Sequence, residues 1–426
     1  MKLDYGKDGI ELKIDPNWNT KIIHPVEQFP IENPIKVIRE AIKNPVGNLS
    51  LKAIIKKRKK IKSVCIVVSD ATRPVPTHLI LEGLLRELID YGIQEKKIRI
   101  LIATGLHRPS RRDELNRILG TVLTSDVKFV NHSATDKKSL VSLYNSDLEN
   151  SIYINKYYYE SDLKILTGYV EPHFFFGFSG GYKSIVPGLA GAETILANHS
   201  AENVASPYAR FGIQENNPIP EHSSRYAKIV GVDFTINVCI NKNHEITQIA
   251  AGDVDLVHNR LINYQNKYIF TEIQEPFDIV VCGNGGYPLD LNLYQAVKSI
   301  AIGEMCVKQG GIIISVNECS EGVGVGQDNF KELIFSEKSP EEIYNKILNK
   351  EIVVPDQWQI QVLTRILMKS KVYLVSNMKE EEIGNIGLKY ADTVEDAIKM
   401  SLIKRGRDAK ILILPNGPQI LPLINI

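Results

Sequence analysis

Cysteine is scarce in this 426-residue chain. Its five cysteines, Cys65, Cys239, Cys282, Cys306 and Cys319, are widely spaced and never form a CxxC pair. That spacing excludes a zinc knuckle and argues against a disulfide framework. Those in VCIVVSD and IVVCGNGG sit inside apolar runs and read as buried structural thiols. An excess of either charge is also missing: 51 Lys+Arg face 50 Asp+Glu, so the chain has no general attraction for nucleic acid or anionic lipid. The one dense basic run, Lys56 to Lys62, precedes a strand-like apolar run and reads as a solvated helix end. No apolar stretch approaches the roughly 18 residues needed to cross a bilayer. The N-terminal MKLDYGKDGIELKID alternates charges instead of presenting a signal-peptide core. These absences predict a cytoplasmic protein with neither a nucleic-acid nor a membrane partner.

Catalytic signatures that would decide the matter quickly are absent too. FSGGYKS exposes glycine amides beside a lysine, as phosphate loops do, but it is not GxxxxGK[ST]. Gly322, Gly324 and Gly326 in EGVGVGQ give GxGxG, not the dinucleotide GxGxxG, and read as a plain loop. No GxSxG elbow supports a serine hydrolase.

What the sequence does contain is a repeated alternation of short β-branched runs and helix-period segments. SVCIVVSD (63–70) leads through ATRPVP into THLILEGLLRELIDYGI. KIRILIATG (97–105), the helix-like RPSRRDELNRILG and VKFVNH (127–132) follow, and DLKILTGYVEP (162–172) reads as a further strand. A second cycle begins with FDIVVCGNGGYP, continues through the helix NLYQAVKSIAIGEMCV and the strand GGIIISVNECSEG, and ends with KVYLVSN, a helix over 393–404 and AKILILPNG. This order predicts an α/β protein of two α/β domains with mostly parallel sheets, 1–272 and 273–426, the last strand packing back on the first domain. An active-site cleft between the domains is expected, because open parallel sheets bind ligands beyond the carboxyl ends of their strands.

Those strand ends carry an unusual density of polar groups. The first is followed by Ser69, Asp70, Thr72 and Arg73, the second by Thr104, Gly105, His107 and Arg108. EPHFFFGFSGGYKS supplies Glu171, His173, Ser179, Gly180, Gly181, Lys183 and Ser184, and the second half adds Tyr294, Gln295 and Lys298. His24, His78, His132, His222, His244 and His258 read as satisfied surface or core residues. His107 and His173 differ, since each lies just beyond a strand beside a proline. Two imidazoles in one cleft can act as acid and base on opposite faces of a substrate. Whether Phe174, Phe175 and Phe176 line a pocket or pack a core stays open.

SDATRPVP, TGLHRP and EPHFFFGFSGGYKSIVPGLAG, followed by LANHS and by YQAVK in the second half, resemble the lactate racemase family, the nickel-pincer nucleotide enzymes, over essentially the whole chain. The resemblance implies a racemase or epimerase of a 2-hydroxy acid, lactate by default, working by reversible hydride transfer. The implied cofactor is pyridinium-3-thioamide-5-thiocarboxylic acid mononucleotide with Ni(II), joined to Lys183 through a thioamide. His199 is the implied protein ligand to nickel, and His107 and His173 the implied alternating acid and base. Arg73, Lys298 and Gln295 resemble substrate-binding residues. Asp70, Thr72, Ser179, Gly180, Gly181, Tyr294, Gln295 and Trp358 resemble cofactor neighbours. Separate cofactor-making enzymes are implied as partners.

The chemistry accounts for that set of residues. A 2-hydroxy acid has no ketone or imine beside Cα to delocalise a carbanion, and its carboxylate makes proton removal harder. Hydride removal avoids this but needs an acceptor that no protein side chain provides. A planar keto acid can then take hydride back on its other face, with a second base opposite the first. Arg73 can hold the carboxylate through two parallel hydrogen bonds. A sulfur, carbon, sulfur donor set plus one imidazole suits square-planar Ni(II). The alternatives read from the residues are a non-catalytic α/β protein binding a phosphorylated small molecule and a histidine-based hydrolase.

Overall fold

The structure, a computed structural model, describes residues 1–47, 49–58, 60–120, 122, 125–144 and 151–424. Two compact units emerge: Gln28–Asn266, and Met1–Glu27 together with Lys267–Ile426. The strand β1 (Thr20–Ile22) shows why the N-terminus joins the second unit. It pairs in parallel with the strand Ile411–Leu414, Ile22 opposite Ile413. The expected division at 272/273 assigned these first residues to the other domain, because pairing between chain ends leaves no trace in local periodicity.

Gln28–Asn266 is built on a six-stranded sheet of β2 (Val64–Ser69), β3 (Ile98–Ala103), β4 (Lys128–Asn131), β5 (Leu163–Tyr169), β6 (Phe234–Ile240) and β7 (Ile246–Gly252). Their spatial order is β7-β6-β5-β2-β3-β4. All neighbours are parallel except β6 and β7, an antiparallel hairpin that the sequence did not announce. Val64 to Val68 are buried on both faces, as expected of a parallel strand covered on each side. On one face Val64, Ile66, Ile165, Ile236 and Val238 join a core with Ile38 and Ile42 of α1 (Pro34–Lys43) and with Ile80, Leu81, Leu84, Leu85 and Leu88 of α2 (Thr77–Asp90). That spacing in α2 is one helical stripe, and each fully buried side chain contributes about 1.5–3 kcal/mol. α3 (Arg112–Leu119) packs beside α2, and α4 (Ala192–Asn198) follows the SGGYKS loop. α5 (Val254–Gln265) covers β6 and β7, where the Cys239 thiol meets the Leu261 carbonyl.

The chain runs from β2 outward through β3 to β4, then returns to the other side of β2 with β5. The carboxyl ends of β2 and β5 therefore flank a topological switch point, where doubly wound sheets open a crevice.

The second unit contains β8 (Phe270–Ile273), β9 (Phe277–Gly283), β10 (Val307–Val316), β11 (Lys371–Val375), β12 (Lys389–Tyr390), β13 (Ile411–Leu414) and β14 (Leu421–Ile424). Six strands form an all-parallel sheet in the order β12-β11-β10-β9-β13-β1. The last strand, β14, pairs in parallel with β8, Phe270 opposite Leu421. α6 (Leu293–Glu304) packs against α7 (Gln357–Lys369) and β10. Among the described residues no helix is long and apolar enough to cross a membrane.

Candidate active site

The loop after β2 folds around Asp70. Its Oδ1 accepts the Thr72 backbone N–H at 3.1 Å and the Thr72 hydroxyl at 2.7 Å, closing an Asx-type turn. Arg73 Nη1 donates to Thr72 Oγ1 at 2.8 Å, which orients the guanidinium through the same threonine. The other carboxylate oxygen, Asp70 Oδ2, meets His107 Nδ1 at 2.6 Å. Burial alone would raise the Asp70 pKa, but the His107 and Arg73 charges and the hydrogen bonds outweigh it and hold the carboxyl far below the usual carboxylate range. A buried carboxylate so partnered stays ionised, and His107 therefore carries its proton on Nδ1, which leaves the ring lone pair on Nε2.

His107 reaches Asp70 because β3 lies beside β2. In its loop, His107 N donates to Thr104 O at 2.8 Å, Thr104 Oγ1 donates to His132 O at 2.7 Å, and Gly105 N donates to Gly188 O at 3.0 Å. His132 is a satisfied core histidine, as expected: Ala190 O lies 3.0 Å from Nε2, and Asn155 donates to Nδ1. Arg108 forms a two-pronged pair with Glu114 at 2.7 and 2.8 Å.

After β5 the chain makes a tight hairpin in which His173 pairs with Gly177. Gly177 has φ +76, and a Cβ there would come within 2.2 Å of the Ile213 carbonyl, so glycine is obligatory. The Phe176 backbone N–H donates to His173 Nδ1 at 3.3 Å, which leaves the His173 proton on Nε2. Phe174, Phe175 and Phe176 are all buried and do a shared job. The Phe175 ring lies 4.8 Å from His173 and 5.1 Å from His199, edge-on to both. The Lys183 Nζ sits over the Phe176 ring, 4.9 Å from its centroid. The aromatic run thus packs His173, His199 and Lys183 into one cluster.

Lys183 lies in the one-turn segment Gly181–Ser184, and His199 ends α4 with its N–H on Ile195 O at 2.8 Å. Burial, reinforced by the Lys183 charge, pushes the His199 imidazole down to about 3, so it is a neutral donor at physiological pH. Ser179 closes the loop, accepting the Glu171 N–H at 3.0 Å and donating to Tyr169 O at 2.9 Å. Gly180 (φ +81) and Gly181 (φ +55) let the backbone turn beneath Lys183.

The remaining candidates lie together in the second unit. Tyr294, at the start of α6, donates its hydroxyl to Asp356 and accepts the Trp358 indole N–H, each at 3.0 Å. Lys298 Nζ donates to Gln295 Oε1 at 2.7 Å, one helical turn away. Trp358, whose sequence surroundings are not distinctive, is thereby tied to the tyrosine it was grouped with.

Family models for the lactate racemase N-terminal domain and the lactate racemase C-terminal domain match residues 5–212 and 273–421. The chain belongs to the lactate racemase family. The lactate racemase of Thermoanaerobacterium thermosaccharolyticum is 36% identical over 388 residues, 90% of this chain and 89% of its own. That of Lactiplantibacillus plantarum is 34% identical over 422 residues, 98% of each chain. The apoprotein structure of the Thermoanaerobacterium lactate racemase superposes with a TM-score of 0.89 at 33% identity, covering 99% of both chains. A Thermotoga maritima protein shares the fold, with a TM-score of 0.72 at 20% identity over 94% of this chain and all of its own.

The residues fit the cofactor implied for this family. Among the described residues no three His, Cys, Asp or Glu side chains converge to hold a metal ion, so a metal held by His199 would draw its other donors from a bound group. His199 supplies a neutral imidazole, Lys183 a shielded amine beside it, and the Gly180 turn a place where a Cβ would strike Tyr169 O at 2.9 Å.

Proposed function

We propose that the chain is a cytoplasmic isomerase that racemises or epimerises a 2-hydroxy acid, lactate by default, with a nickel-pincer nucleotide joined to Lys183. The carrying observation is the pairing of the Asp70–His107 dyad with the His173–His199–Lys183 cluster, in a chain 34–36% identical to lactate racemases over most of its length. Lys183 would hold the group covalently and His199 its nickel, with the glycine turn as a neighbour. When bound, that group supplies the hydride acceptor that protein side chains lack.

The chain's own residues handle the carboxylate and the proton. Arg73, oriented through Thr72, takes the substrate carboxylate. His107 presents an Nε2 lone pair while Asp70 steadies its Nδ1–H, so it accepts the hydroxyl proton, and Asp70 stabilises the imidazolium that results. His173 stands in the opposite state, with Nε2 protonated. Working on the other enantiomer requires His173 Nε2 to accept, so its 3.3 Å bond from Phe176 N–H must then be given up.

The test is conversion of L-lactate to D-lactate by protein co-produced with cofactor-making enzymes. Activity that survives with Lys183 unmodified and nickel absent would overturn the proposal.

A further inference from the structure

Asn237 interrupts the apolar strand β6, FTINVCI, and is only 1% exposed. Its Nδ2 donates to Thr235 Oγ1 at 2.7 Å, and that hydroxyl donates to Leu166 O at 3.2 Å, so the amide cannot turn freely. Its Oδ1 is buried and, among the described residues, receives no hydrogen bond. A buried acceptor left in this state is costly and calls for a donor.

The surroundings indicate what kind. Asn237 stands opposite Gly168 of β5. The nearest atoms to the point where a Gly168 Cβ would be are Asn237 Oδ1 at 3.2 Å, Ser184 Oγ at 3.7 Å and Ser69 Oγ at 3.8 Å. A Gly180 Cβ would lie 3.0 Å from the same Asn237 oxygen. Three oxygens converge where two glycines place no side chain, at the switch point between β2 and β5. Ser69 precedes Asp70 and Ser184 follows Lys183, so the spot lies between the two halves of the candidate site. An unprotonated phosphate or carboxylate would be repelled by Asn237 Oδ1, and none of the three nearest atoms belongs to a carboxylate that would hold a cation. A hydroxyl donates its one proton to Oδ1 and accepts from the hydroxyls of both serines.

We infer that Asn237, Ser69 and Ser184 form a seat for one O–H donor, either a hydroxyl of the nucleotide tethered at Lys183 or a water. The nucleotide half rests on the function proposed above, whereas the seat itself does not. A crystal structure of the unloaded protein should show a water within hydrogen-bond distance of Asn237 Oδ1 and at least one serine Oγ. If the seat serves the ligand, the loaded structure shows a ligand hydroxyl there. Calorimetry with nicotinic acid mononucleotide and unloaded protein then shows Ser69→Ala, Ser184→Ala and Asn237→Ser each weakening binding by about two- to tenfold. If it serves water, the water persists in the loaded form and affinity is unchanged. Thermal melting identifies any variant that fails to fold, and the serine variants keep the test alive if Asn237→Ser does. No oxygen at the seat in either form, or Asn237 Oδ1 bonded to a protein N–H, would overturn the inference. A seated water in a protein that never binds the mononucleotide would instead count against the proposed function.

Discussion

Asp70→Asn removes one buried negative charge and leaves the side chain's shape. The carboxylate accepts from His107 at 2.6 Å and from Thr72 at 2.7 and 3.1 Å, with Arg73 one link further. A hydrogen bond to a charged partner is worth about 1.5–3 kcal/mol, and we expect a loss of that size in the unfolding free energy of the unloaded protein at pH 7. The loss should depend on pH. The depressed native pKa of Asp70 means its stabilisation is complete above the unfolded carboxyl value of about 3.9 and disappears as pH falls through the native value. The gap between wild type and variant should therefore be full at neutral pH and close progressively below about pH 4. Parallel urea titrations from pH 7 to pH 3 measure it. In loaded enzyme the same change should lower turnover by roughly 10²–10⁴-fold, since His107 loses the acceptor that fixes its tautomer. A variant as stable as wild type at pH 7, or a gap that stays constant down to pH 3, would refute the reasoning.

His132, fully enclosed, is pushed down to about 4 by burial against the opposing pull of Ala190 O. An unfolded histidine takes its proton near 6.5, so stability should fall as pH drops from there to about 4, by roughly 3 kcal/mol. His132→Gln should flatten that slope in the same titrations. Gly180→Ala should destabilise the protein by about 1–3 kcal/mol, because φ is +81 and the new Cβ meets a backbone carbonyl at 2.9 Å. A melting temperature equal to wild type would count against that. Lys183→Arg keeps a charge over Phe176 but loses the amine proposed to carry the cofactor. Intact mass of co-produced protein should show an adduct on wild type and none on the variant.

Much of this was legible in the sequence because it is local. The strands at 64–69, 98–103, 128–131 and 163–169 and the loops following them reflect periodicity and turn residues that need no partner to be read. The missed features depend on which strands become neighbours. The Asp70–His107 contact joins residues 37 apart only because β2 and β3 are adjacent. Arg108 stands among the strand-end polar residues, and only the packing of α3 shows that Glu114 partners it. The Phe174–Phe176 run was ambiguous because sequence cannot say that His199 and Lys183 return to its rings. Asn237 was overlooked inside an apolar strand, though a lone amide in FTINVCI was itself a visible signal.

The central claim, hydride transfer between faces of a 2-hydroxy acid, is tested most directly by one isotope measurement. Loaded enzyme is given L-lactate deuterated at Cα in ordinary water, and the D-lactate formed is analysed by mass. Hydride removal and return predicts D-lactate that keeps its deuterium. D-lactate carrying hydrogen from water, or no D-lactate at all, would contradict the account.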